Sequence, residues 1–247
     1  MKTQLAITDL TRMRRGCVCV AGYDKDGCCI RPILPPPGID EKYLFEGCQP
    51  IVFPFALVEY NLVRPRPQPP HSEDYVYNPY SVQFIRRVED DKRERLLNNS
   101  LFENVEAIFE QTVHGDQGNY VMDGCGPRSI GTILPKDILE VKYEQDVNGN
   151  WNYRLRFIDN QKRTYRIKIT DLTWHYYCDS LRGENHSPSQ IASELSKMLR
   201  SRKVYLRIGL ARGWAEHPER CYLQVNAIHT FPDYLNGKTF ADFRPVK

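Results

Sequence analysis

Apolar side chains recur at every second position in several short segments of the C-terminal half, at 139–145, 151–158, 163–170, 204–210 and 220–231. That period predicts strands with one face turned inward. Between the third and fourth segments the period lengthens. Ile191, Leu195, Met198 and Leu199 fall on one face of a helix at about 187–202. Ser187 as N-cap, Pro188 in the first turn and Gln190 three residues on form a capping-box start. Three strands, a helix and two strands is the order of an OB-type barrel, in which the second and third strands commonly form the ligand face.

The N-terminal half gives a matching count. Strands are predicted at 3–8, 17–23, 27–33, 50–63 and 82–88, with a short helix at 39–45. Asp24-Lys25-Asp26-Gly27 is a hairpin signal. The prolines at 65, 67, 69 and 70 predict an extended loop over 64–80. Leu96, Leu97, Leu101, Val105, Ile108 and Phe109 predict one long helix over 89–113, followed by a Gly-rich seam at 115–128. The expected fold is mainly β with α: two OB-like five-stranded barrels linked by a helix. Residues 1–88 form the first barrel, 89–128 the linking helix and Gly-rich loop, and 129–247 the second barrel. The pentapeptide Ile-Thr-Asp-Leu-Thr at 7–11 recurs at 169–173, but after non-equivalent strands, so it does not mark a duplication.

Strand alternation then sorts the side chains. In the second half, Arg154, Arg156, Arg166 and Lys168 fall outside, as do Tyr205, Arg207 and Tyr222. Four cations on neighbouring strands repel one another unless a polyanion neutralises them. Charge is unevenly spread: residues 1–137 carry 16 basic and 19 acidic side chains, and residues 138–247 carry 18 and 12. Trp174, in the aromatic run 174–177, and the Arg212/Trp214 pair after Gly209 add stacking faces and a strand-end loop. These ten residues are the expected nucleic-acid-binding set.

Several strings resemble prokaryotic proteins described as dual OB-fold-containing. They are Ile-Thr-Asp-Leu-Thr-Arg-Met at 7–13, Cys-Val-Cys-Val-Ala-Gly at 17–22 and Cys-Ile-Arg-Pro-Ile at 29–33. Tyr-Leu-Arg-Ile-Gly-Leu-Ala-Arg-Gly-Trp at 205–214 and Cys-Tyr-Leu-Gln-Val-Asn-Ala-Ile at 221–228 add to them. The resemblance spans about residues 3–235 and implies two barrels with a nucleic-acid role and no established catalytic residues.

Other chemistry is weaker. The eight cysteines (17, 19, 28, 29, 48, 125, 178, 221) read as reduced thiols of a cytoplasmic protein, since Asp9 interrupts any leader-like apolar run. Cys17, Cys19, Cys28 and Cys29 lack paired Cys-x-x-Cys zinc spacing, so no metal or cofactor is expected. Cys178 with His175 or His229, and the carboxylates Asp9, Asp171 and Asp179, lack the surroundings of a known nucleophile or nuclease site. There is no apolar run of membrane-spanning length. The expectation is a non-catalytic binder of single-stranded DNA or RNA. The alternative is a protein-interaction module docking a partner through the Pro- and Tyr-rich 64–80 loop.

Overall fold

The computed structural model describes residues 1–116, 118–184 and 186–245. The first barrel is built from β1 (Lys2–Arg12), β2 (Cys17–Tyr23), β3 (Cys29–Ile33), β4 (Ala56–Pro65) and β5 (Asp74–Tyr77). The order β1-β2-β3-β5-β4 closes through β4 pairing back to β1, with Ala6 opposite Leu57. β3 and β5 run parallel and every other pair antiparallel, which is OB connectivity. Asp24 sets the β2–β3 turn, its Oδ1 accepting from the amides of Asp26 and Cys28 at 3.0 and 2.8 Å.

The fifth strand differs from expectation. It comes from within the 64–80 segment, which is therefore not a free loop. The 82–88 segment forms β6 (Gln83–Arg87), laid along the outer edge of β4. The prolines stop at Pro70, and Asp74-Tyr75-Val76-Tyr77 then pairs on both edges. The long helix over 89–113 also differs. It is broken into α1 (Asp90–Asn98) and α2 (Val105–Phe109), separated by a two-residue strand at Leu101–Phe102. Asn98, Asn99 and Ser100 are poor helix formers, and Asn104 starts α2 by capping the Ala107 amide at 2.9 Å.

The second unit holds β7 (Ile130–Ile133), β8 (Asp137–Gln145), β9 (Trp151–Ile158), β10 (Thr164–Ile169), α3 (Leu172–Gly183), α4 (Pro188–Arg200), β11 (Lys203–Leu210) and β12 (Arg220–Phe231). The order β8-β9-β10-β12-β11 repeats that of the first barrel, again with one parallel pair, β10 with β12. Closure is different. β11 gives its outer edge to β7, and α4 covers the outer edge of β8. Ser196 Oγ accepts from the Val141 amide at 2.8 Å, and Arg200 donates to the carbonyls of Ile138 and Leu139. The capping box of Ser187 and Gln190 is formed. α3 was not anticipated. Asp171 nucleates it by accepting from the amides of Thr173 and Trp174 at 2.9 and 3.3 Å.

The two units share an interior seam. Arg207, fully buried, donates through Nε to both oxygens of Asp9 at 3.1 and 2.9 Å and through Nη1 to Tyr23 and Thr132. The Arg12 amide donates to the Thr170 carbonyl at 2.7 Å, and the His229 ring lies 2.9 Å from the Thr8 carbonyl. Leu172, Tyr176 and Phe240 complete the core of the first barrel. Among the described residues, no helix is long and apolar enough to cross a membrane.

Candidate nucleic-acid interface

In an OB barrel the strand 2–3 face and the loops after strands 1 and 4 make the ligand groove. Here both barrels turn those parts toward one cleft of about 1510 Å³. From the first barrel come Met13 and Arg14 of the β1–β2 turn, and Arg66, Gln68 and His71 of the β4–β5 loop. From the second come Gly149 and Asn150 of the β8–β9 turn, and Arg212, Trp214 and His217 of the β11–β12 loop. Pocket volumes for small ligands run to roughly 300–1,000 Å³, so this one suits a polymer segment.

The rim is mostly cationic, Glu216 being the one exposed carboxylate among the described lining residues. Arg12, Arg14, Arg66 and Lys168 are exposed lining residues, and Arg154 lies in register with Lys168 across the β9–β10 ladder. Among the described residues none of these five has a carboxylate partner within ion-pair distance. Lys168 is pushed below the ordinary lysine value by partial burial in the groove, then by the guanidiniums of Arg154, Arg14 and Arg12. The turn Met13–Cys17 presents Arg14. Its closing bond runs from the Met13 amide to the Cys17 carbonyl at 2.8 Å, and Arg15 and Gly16 take positive φ.

The floor has a different character. Asp74 pairs with Arg31 at 2.6 Å and with Arg212, while Glu73 accepts from the amide and hydroxyl of Ser129 at 2.7 and 2.9 Å. His71 lies beside them, 2 % exposed. Burial, then Arg31 and Arg212, push it down to about 2, so its ring is neutral. Trp214, 44 % exposed, offers the most open aromatic face, and Tyr222 and Trp151 line the walls.

The ten sequence-predicted residues divide accordingly. Lys168, Arg212, Trp214 and Tyr222 line the cleft. Arg154 flanks it, and the Arg156/Arg166 pair continues the exposed face one step beyond. Trp174, Tyr205 and Arg207 are not surface residues at all. Trp174 packs in the second core 5.5 Å from the Tyr234 ring. Tyr205 lies under α1, donating to Glu94 and Asn98 at 3.0 and 2.7 Å, and Arg207 is the seam residue. Alternation misplaces Tyr205 and Arg207 because β11 is covered on both faces, α1 and the seam burying the side that reads as polar, whereas Trp174 lies on the inward face of α3.

Arg12, Arg14 and Arg66 were missed. The basic run Arg12-Met13-Arg14-Arg15 was the available signal, but its importance depends on which barrel faces it. Among the described residues no cluster of three Cys, His, Asp or Glu side chains could hold a metal. Cys17 instead donates to the Pro37 carbonyl at 3.2 Å, and Cys29 lies 3.8 Å from Arg207.

A protein-family model described as a dual OB-containing domain matches residues 7–228. No curated protein matches the chain.

Proposed function

The chain belongs to the dual OB-containing family, and from that premise we propose that it is a non-catalytic binder of single-stranded nucleic acid. The strand runs through the cleft between the barrels. One observation carries this reading: the ligand-binding loops of both barrels converge on the same cleft, whose rim holds four cations without carboxylate partners among the described residues, with Arg154 flanking them as a fifth. Phosphates neutralise those cations, and exposed bases stack on Trp214. The carboxylates weighed for a nuclease already have protein partners, Asp9 in the seam and Asp179 on the cleft wall itself. Asp171 caps α3, and Asp179 accepts from the hydroxyls of Tyr143 and Tyr153 at 3.0 and 2.7 Å. The 64–80 segment is built into the barrel and the cleft wall, which favours this reading over a free protein-docking loop.

Fluorescence anisotropy with labelled single-stranded DNA and RNA tests it. Each neutralised phosphate contributes about 0.7 to the slope of log affinity against log salt, so five cations give a slope of about −3.5. Replacing Arg12 and Arg14 by Ser should flatten it by about 1.4. Absence of salt-sensitive binding at low ionic strength would overturn the proposal.

A further inference from the structure

Several polar atoms on the cleft wall have no partner within the protein. Both ring nitrogens of His71, Oγ1 of Thr11 and Oδ1 of Asn226 are buried and unbonded. So is Nδ1 of His175, whose Nε2 lies 2.9 Å from the Ile169 carbonyl and so carries the ring proton. Nη2 of Arg31 is also buried without a hydrogen-bond partner, its Glu73 carboxylate standing 3.9 Å away. All five residues line this one cleft and are more than nine-tenths buried. Groups buried like this normally find a partner, because leaving them without one is costly.

The partner is not a phosphate. At the floor the guanidiniums of Arg31 and Arg212 face the carboxylates of Asp74 and Glu73, so their charges balance. The uncompensated cations stand at the rim. His71 is neutral and offers one donor and one acceptor, and His175 Nδ1 and Asn226 Oδ1 offer acceptors. Mixed hydrogen-bonding capacity, whose one charged donor on Arg31 is already balanced by Asp74, matches the edge of a nucleobase whose own phosphates lie outside the floor.

We propose that the floor of the cleft is a nucleobase-reading pocket, in which His71, Thr11, Asn226 and His175 hydrogen-bond the edge of one unstacked base. The protein then selects among bases instead of binding any single strand equally. This rests on the nucleic-acid reading above and adds base selectivity to it.

The test compares octamers of A, C and T, and a T octamer carrying one central G, by anisotropy with the full chain. The affinities should spread by about tenfold, the scale of one good base-edge contact. His71→Phe and Thr11→Val remove the unbonded polar atoms, Thr11→Val at nearly equal volume, so that variant should melt no lower than the parent. In each, the spread should contract while the salt slope stays unchanged. Salt-dependent binding of all four octamers within twofold would overturn the base pocket and leave the strand-binding reading standing. A well-folded Thr11→Val or His71→Phe protein that keeps the full spread would overturn it too. Failure of every octamer to bind would overturn both.

Discussion

Burial holds the imidazoles of His175 and His229 down to about 4, against an ordinary value near 6.5. His175 stacks on Tyr153 with ring centroids 3.8 Å apart, and His229 reaches across the seam to Thr8. The folded chain keeps both neutral, while the unfolded chain protonates them near 6.5. Their contribution is therefore complete above about pH 6.5 and is lost as pH falls toward 4. Urea denaturation should show stability dropping by about 1–2 kcal/mol per histidine between pH 7 and pH 5. His229→Gln should shallow that slope. A stability flat across this range would contradict the burial assigned to these rings. At the same scale, Arg207 shows why single-residue inference went astray. Its position outside an alternating strand reads as solvent, but its guanidinium meets Asp9, which lies 198 residues away in sequence.

Elements were more legible than residues. β2, β9 and β12 stand at the predicted bounds, because each is an apolar-rich run bounded by turn residues such as Gly16, Asp24, Asn150, Asp159 and Pro232. β5 was hidden by the prolines before it, since its pairing is supplied by β3 and β4 and not by local signal. α3 was hidden by its composition: Thr173-Trp174-His175-Tyr176-Tyr177 has weak helix propensity, and tertiary burial overrides it. The exposed cations of β9 and β10 were legible because one side of that ladder is uncovered. The device that replaces barrel closure, α4 against β8, could not be foreseen from periodicity. Ser196 links it by accepting from Val141 and donating to the Ala192 carbonyl at 2.7 Å. Ser196→Ala leaves the Val141 amide buried without a partner and should cost about 1–3 kcal/mol in chemical denaturation. A change under ~0.5 kcal/mol would show that α4 does not seal that edge through this bond.

At the scale of the molecule, the seam between the barrels fixes what the cleft can be. The Asp9–Arg207 pair, the Arg12–Thr170 backbone bond and the shared core at Phe240 hold the two sets of ligand-binding loops opposite each other. The N-terminal half, residues 1–137, is net negative by sequence but still contributes Arg12, Arg14 and Arg66 to the rim, so local placement outweighs net charge. Binding is thus a property of the pair and not of the basic half alone. Photocrosslinking of an iodouridine-substituted single strand, followed by peptide mapping, tests this most directly. Crosslinks should fall on both walls, at 12–19 or 66–74 in the first barrel and at 149–154 or 212–224 in the second. Crosslinks confined to one barrel, or to faces away from the cleft, would contradict it.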